Sequence, residues 1–346
     1  MKFVQLAPSW DSPVEQSIDA NAAVTPTRRR WWLTAAKLLI VVALVWGIHG
    51  SIEKALAQLG RQQWRPGDIR FGWLAAAAGA YLLGMLPSGL FWHGVMRRLG
   101  ASPGLYTSLR AYYIGHLGKY VPGKAMVVVL RAGLVQCPHT KARVAAAAVF
   151  CETLTTMSVG GFLAGAVLAI WYRHQTGALL LAAVVMVASG LPTLPPVFQW
   201  LARLAGVARG DPETAARLDQ LGYGTLARGW AMIAIGWAAI GASLAMTLKG
   251  IGVAGDVDLV GDLPLCLAAA ALSVVVGFLS LVPGGLVVRE AILLELLAES
   301  FSEGPAMVAA VVLRLVWLVA ELLISGILYL SRPAPPRTGR SASNPV

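Results

Sequence analysis

Charge is what this chain has least of. Only 13% of its 346 residues are Asp, Glu, Lys or Arg, against 57% that are hydrophobic, where an ordinary soluble domain carries about 25% charged residues. That deficit excludes a solvated globular fold for most of the chain and points to a polytopic membrane protein. Acidic residues are scarcer than basic ones, 17 against 28, for a formal net charge of +11. Nucleic acid is one partner such an excess can serve, but the cations collect in short segments between apolar runs, which is a topological signature instead. Cysteine is nearly absent. Cys137, Cys151 and Cys266 have no metal-ligand spacing, and three cannot close a complete disulfide framework. Buried thiols packing as small apolar groups are expected. HExxH, GxSxG and any dense Asp-rich metal motif are missing too, so no catalytic constellation is legible and no cofactor is called for.

What is present is apolar length. Six stretches, Trp31 to Ile48, Phe71 to Trp92, Val144 to Trp171, Gly177 to Phe198, Leu226 to Leu248 and Met307 to Leu330, can each cross a hydrocarbon core about 30 Å thick, for which about 20 helical residues suffice. Two more, Leu105 to Val135 and Leu263 to Leu297, contain Val121-Pro122-Gly123-Lys124 and Val282-Pro283-Gly284-Gly285. Proline lacks the N–H a helix needs and glycine resists helical order, so each stretch breaks. Unsatisfied backbone cannot face lipid, so each break must sit inside protein or a wet cavity. Both stretches are expected to be re-entrant hairpins of half-helices, broken at Pro122, Gly123, Pro283, Gly284 and Gly285.

The two breaks have similar surroundings. Pro122 precedes Arg131 by nine positions and Glu152 by thirty; Pro283 precedes Arg289 by six and Arg314 by thirty-one. Both halves, about 28–202 and 223–331, run span, half-helix, Pro-Gly, half-helix, span. Three full spans separate the hairpins, and an odd number reverses orientation, which makes an inverted repeat of the transporter type. The expected fold is therefore an all-α membrane bundle of two inverted repeats, with six spans and two hairpins. Residues 1–27 and 332–346 are polar and aperiodic and are expected as mobile tails. Ile52, Leu56 and Leu59 beside Lys54 and Arg61 fit a short interfacial helix. Cations at Arg28 to Arg30, Arg97, Arg98, Lys141, Arg143, Arg203 to Arg228 and the tail fall on one side if six spans alternate, so both termini are expected in the cytoplasm. Lys54, Arg61, Arg65 and Arg70 run against that bias. The first stretch lacks a cleavage site and reads as a retained signal anchor.

Ionisable groups inside apolar spans cost about 2.5–3.5 kcal/mol each at a helix centre, so they pair or line water. His116, Lys119, Lys124, Arg131 and Glu152 lie in the first half, and Arg289, Glu290, Glu295, Arg314 and Glu321 in the second. Glu152 and Arg314 hold equivalent places with opposite charge. They either pair across the repeats or each tie hairpin to span. Lys119, Lys124 and Arg131, beside a half-helix start, either hold a phosphate together or snorkel as anchors. Arg289 beside Glu290 would form a matching outer site. Glu152 and Glu321 are the candidates for coupling to protons. Glu295 and His116 suit structural roles.

Three patterns resemble sites without being expected to act as such. Gly118 to Ala125 matches GxxxxGK, but Ala125 replaces the magnesium-binding Ser or Thr and no strand precedes it. Asp256, Asp258 and Asp262 fit a solvated acidic loop. Gly160, Gly161 and Gly165 are expected to let helices approach closely.

The first break followed by Arg131, together with Val282-Pro283-Gly284-Gly285-Leu286-Val287-Val288-Arg289-Glu290, resembles the lysylphosphatidylglycerol synthase transmembrane, or flippase-like, family over about Trp31 to Leu330. Members often carry glycine where this chain has Met126 and Val287. The resemblance implies an integral membrane protein that moves lipid or lipid-linked head groups between leaflets, or assists envelope lipid and glycan assembly. Some relatives are fused to a synthase or glycosyltransferase; this chain resembles the flippase part standing alone, with no enzyme activity expected. The leading expectation is an inner-membrane translocase for an anionic phospholipid or lipid-linked substrate. Lys119, Lys124, Arg131, Glu152, Arg289, Glu290, Arg314 and Glu321 would face the substrate. The alternatives are a non-transporting partner of an envelope-synthesis enzyme and, third, a membrane enzyme.

Overall fold

Apolar runs without an interior Pro-Gly pair satisfy their backbone internally as long helices, even with the lone Pro87 inside the first of them, and runs with Pro-Gly in the middle fold into shorter pieces. The computed structural model shows both, and it describes residues 66–120, 125–135, 141–207, 211–252, 257–280, 282, 285 and 287–331. The chain divides into Met1–Val45, which lies outside the described residues, and Trp46–Val346, to which everything below belongs. The expected first span, the Ile52 to Leu59 helix and both tails also lie outside the described residues.

Eleven α-helices and no strand are found among the described residues. They are α1 (Phe71–Arg98), α2 (Leu105–His116), α3 (Ala125–Val135), α4 (Ala142–Trp171), α5 (Thr176–Gly190), α6 (Pro195–Leu204), α7 (Pro212–Asp219), α8 (Tyr223–Ile251), α9 (Leu263–Leu279), α10 (Val288–Phe301) and α11 (Glu303–Leu330). α1, α4, α8, α11 and α5 with its 3-10 extension to Thr193 are long and apolar enough to cross a membrane. Five of the six expected spans are thus present. α2 and α3 have 12 and 11 residues, α9 and α10 have 17 and 14; at 1.5 Å per residue the longest reaches only about 26 Å, short of a core about 30 Å thick.

One expected boundary needs correction. The stretch Gly177 to Phe198 is not one rod: α5 stops at Gly190, a 3-10 turn covers Leu191–Thr193, and α6 starts anew at Pro195. Proline at the first helical position has no N–H to leave unpaired, so Pro195 opens a helix as readily as it forbids continuing one. α6 buries Phe198 and Ala202 and exposes Trp200 and Leu204. Between the two halves, in residues 203–222, lies another helix, α7. The Asp211 carboxylate caps it, accepting the Thr214 N–H at 3.2 Å and the Thr214 hydroxyl at 3.0 Å, contacts that hold it below the usual carboxylate range. Arg203 pairs with Asp219 at 3.1 Å, tying α6 to α7.

Small residues set how the long helices meet. α1 lies along α8, and a Cβ on Gly236 would fall 2.5 Å from the Gly84 carbonyl oxygen. Gly160 admits Trp237, while Gly161 and Gly165 admit Ser189 and Met186 of α5, the close contacts expected of them. α5 touches the rest through α4 and turns Leu180, Leu181, Val184 and Val187 outward. α2 folds back on α3, and α9 on α10; α3 packs on α4, and α10 on α11; α4 meets α9, and α11 meets α2. Cys151 and Cys266 are free and buried as expected, and Cys137 lies outside the described residues.

Candidate functional site

Each helical hairpin closes over an arginine because glycine leaves it room. A Cβ on Gly118 would sit 2.7 Å from the Val127 nitrogen, and one on Gly115 would sit 3.2 Å from the Arg131 nitrogen. In the second hairpin, Cβ atoms on Gly277 and Gly285 would lie 2.9 and 2.7 Å from Arg289 Nε. Arg131 and Arg289 are thereby held inward, against the neighbouring helices rather than toward lipid.

In the first half Arg131 Nη1 donates to Glu152 Oε2 at 2.7 Å, and the two side chains are 3% and 5% exposed. Glu152 also accepts the Tyr112 hydroxyl at 3.1 Å and the Thr156 hydroxyl at 3.3 Å. The guanidinium lies 3.9 Å from the Tyr112 ring centre and 5.7 Å from that of Trp92, within cation–π range. In the second half Arg314 Nη1 donates to Glu290 Oε1. Each pair joins a hairpin helix to the following span, with the charges exchanged. The cross-repeat pairing of Glu152 with Arg314 is therefore not formed; each residue is held by a partner on its own hairpin.

A different ion pair crosses between the halves. Lys119, in the 3-10 turn Leu117–Tyr120 after α2, reaches Glu321 of α11 at 2.5 Å. The Tyr81 hydroxyl of α1 donates to the same carboxylate oxygen. Tyr81 stacks on Trp317 at 4.5 Å, and the Trp317 indole N–H donates to Ser243 of α8 at 3.0 Å. His116 lies between the two systems, its Nε2 3.1 Å from Lys119 Nζ and its Nδ1 3.5 Å from Arg131 Nη2.

A cavity of about 30 Å³ opens beside this pair, lined among others by Lys119, Tyr120, Arg289, Glu290, Arg314 and Trp317. Several buried polar atoms have no partner among the described residues: Arg289 Nε, Arg314 Nη2, Glu290 Oε2 and Glu321 Oε2. Buried polar groups are almost always satisfied by protein, water or ligand, so these atoms mark a place built for something polar. Lys119 and Arg314 have carboxylate partners, while Arg289 has no ion pair among the described residues. The lining thus carries a surplus positive charge. No group of three metal-ligating side chains is found among the described residues.

The structure brings Lys119, Arg289, Glu290, Arg314 and Glu321 together and sets Arg131 and Glu152 in an adjoining buried pair. The trio Lys119, Lys124 and Arg131 does not act as one cluster: Lys119 turns to Glu321 and Arg131 to Glu152. Lys124, Pro122, Gly123, Pro283 and Gly284 lie outside the described residues, and Glu295 is exposed. α2, not a strand, precedes Gly118, as the membrane-hairpin reading of GxxxxGK requires. Tyr81, Tyr112 and Trp92 went unmarked in the sequence. A buried tyrosine needs a partner for its hydroxyl, which is the signal that would have singled out Tyr81 and Tyr112 in otherwise apolar helices.

The second break stores strain. Gly285 has φ +67°, and Val287, a β-branched residue, has φ 67° and ψ −46°, a conformation that only glycine adopts freely. Val287 is 74% exposed, so its side chain contributes little packing. Val287→Gly is expected to stabilise the protein by about 1 kcal/mol, seen as a higher unfolding midpoint in detergent; an unchanged or lowered midpoint would contradict the strain.

Helices of membrane-crossing length around buried ion pairs, with two shorter hairpins between them, define a multi-pass helical membrane protein with a polar interior. The profile described as the lysylphosphatidylglycerol synthase TM region matches residues 34–325, and the chain belongs to that family. Comparison with curated proteins gives no match.

Proposed function

We propose that this protein is a lipid translocase that moves an anionic phospholipid or lipid-linked head group between the leaflets of the inner (plasma) membrane. One observation carries the reading: a small cavity between helices is lined by an arginine, Arg289, with no ion pair among the described residues. An unpaired guanidinium in a low-dielectric setting attracts an anion, and arginine matches phosphate oxygens in a fork. Acyl chains would stay in the bilayer while the head group follows the seam.

The packing supports two related halves. Exchanging α1 with α8, α2 with α9, α3 with α10 and α4 with α11 turns each main contact among these helices into another one. With three spans between the hairpins, the halves would be inverted, and α2–α3 and α9–α10 would enter from opposite sides. The cavity admits a water or two, since each needs about 10–15 Å³ on this scale. A phosphoglycerol head group is far larger, so the halves must part for transport, and the Lys119–Glu321 contact lies across that movement.

The test is dithionite quenching of fluorescent phosphatidylglycerol in proteoliposomes. Arg289→Met is expected to slow flipping about tenfold or more, the loss of one charge-assisted contact, while Glu295→Gln leaves it unchanged. Flipping at the wild-type rate in a folded Arg289→Met protein would remove the residue from the path. No flipping by wild type, with stable co-purification of an envelope-synthesis enzyme, would favour the accessory role instead.

A further inference from the structure

We infer that Glu321 is a proton acceptor coupled to ligand entry: an incoming phosphodiester draws Lys119 off Glu321, and the released carboxylate takes up one proton. The inference rests on the translocase reading for the identity of the anion and adds a means of coupling to it. Of the two carboxylates buried deepest, Glu152 has both oxygens engaged, by Arg131, Tyr112 and two threonines. Glu321 takes its contacts on Oε1, while Oε2 is buried without a partner. A bare carboxylate oxygen on a residue whose cation, Lys119, lines the cavity is a place for a proton.

The groups facing Glu321 come from every neighbouring element. Tyr81 reaches it from α1, His116 from α2, and Lys119 from the 3-10 turn. Tyr120 of that turn faces it with its hydroxyl as a further hydrogen-bond donor, and Arg289 of α10 interacts with it electrostatically. Arg314, on its own helix, faces Glu290, and α8 presents only the uncharged Ser243 to the adjacent Trp317. Glu321 neutralises Lys119 through their ion pair. A phosphodiester supplies that negative charge in its place, and a buried carboxylate without its cation is neutralised by protonation. The carboxylate gains one proton on oxygen, Lys119 keeps its own, and the lipid anion and the proton enter as an electrically neutral pair. His116 offers the route: its Nε2 lies 3.7 Å from Glu321 Oε1, and its side chain is 25% exposed against 1% for Glu321.

Infrared difference spectroscopy on the full-length protein in phosphatidylcholine vesicles, with dioctanoyl phosphatidylglycerol added, tests the proton directly. A protonated-carboxyl carbonyl band is expected on lipid addition, lost in Glu321→Gln, displaced in Glu321→Asp and retained in Glu295→Gln. No band, or a band indifferent to both Glu321 substitutions, overturns the inference. In proteoliposomes one proton per lipid makes a gradient of one pH unit shift the leaflet ratio of fluorescent phosphatidylglycerol about tenfold. Flipping that ignores the gradient overturns the coupling and leaves the translocase reading standing. The band without any flipping overturns the translocase reading and leaves the proton uptake standing.

Discussion

Glu152→Ala is expected to lower stability by about 3–5 kcal/mol, the cost of stranding one member of a buried ion pair. Arg131 lies between Tyr112 and Trp92 with its Nε already unpartnered, and its side chain is 3% exposed. With the carboxylate gone, the guanidinium would keep the aromatic faces and the long contact to His116 Nδ1 at 3.5 Å, which do not replace a charge-assisted hydrogen bond. Escape to water is closed off, because Gly115 and the α2 backbone lie directly against Arg131. Arg131→Met alone should cost less, since it leaves Glu152 with the Tyr112 and Thr156 hydroxyls. The double variant Arg131→Met/Glu152→Leu should recover most of the loss, as apolar replacements of whole buried pairs commonly do. Unfolding midpoints in detergent, compared across the four proteins, check this. A fall below about 1 kcal/mol in Glu152→Ala would mean that water reaches Arg131.

The helices were the legible part of this chain, and the partners were not. Spans such as Val144 to Trp171 showed plainly because membrane insertion imposes one requirement, apolar length, that a linear string displays. The hairpins showed through Pro122 and Pro283, each joined to glycine, whereas the lone Pro87 is carried inside unbroken α1; the structure has helix ends at His116 and Leu279 and new starts at Ala125 and Val288. The end of α5 did not show, because Pro192, Pro195 and Pro196 sit in a stretch still apolar enough to count as span. Pairing failed for a different reason. Glu152 and Arg314 follow their breaks at like spacing, and each is met by an opposite charge on its own hairpin, Arg131 and Glu290, before it can reach the other. The contact that does cross, Lys119 with Glu321, joins places that are not equivalent. Its third member, Tyr81, is one of several aromatics in apolar helices, and only packing shows which hydroxyl meets a carboxylate.

Exchanging the charges of the second pair would show whether the halves are equivalent. Arg314→Glu alone places two carboxylates where a part-buried pair stood, 15% and 18% exposed, and it should destabilise by about 2–3 kcal/mol, less than the loss of a fully buried pair. Adding Glu290→Arg restores opposite charges with the polarity of the first half, where the hairpin carries arginine and the span glutamate. Recovery of about 2 kcal/mol or more is expected, within the usual coupling of residues in contact. The surroundings favour the exchange on one side: Arg289 and Arg314 repel in the native arrangement, and a carboxylate on α11 would attract Arg289 instead. On the other side, arginines at 289 and 290 would point about 100° apart around α10, so their charges need not collide. Unfolding midpoints of both single variants and the double variant give the coupling directly. Additive losses, with no recovery in the double variant, would mean that the two pairs arose in unlike surroundings and that the resemblance between the halves stops at the backbone.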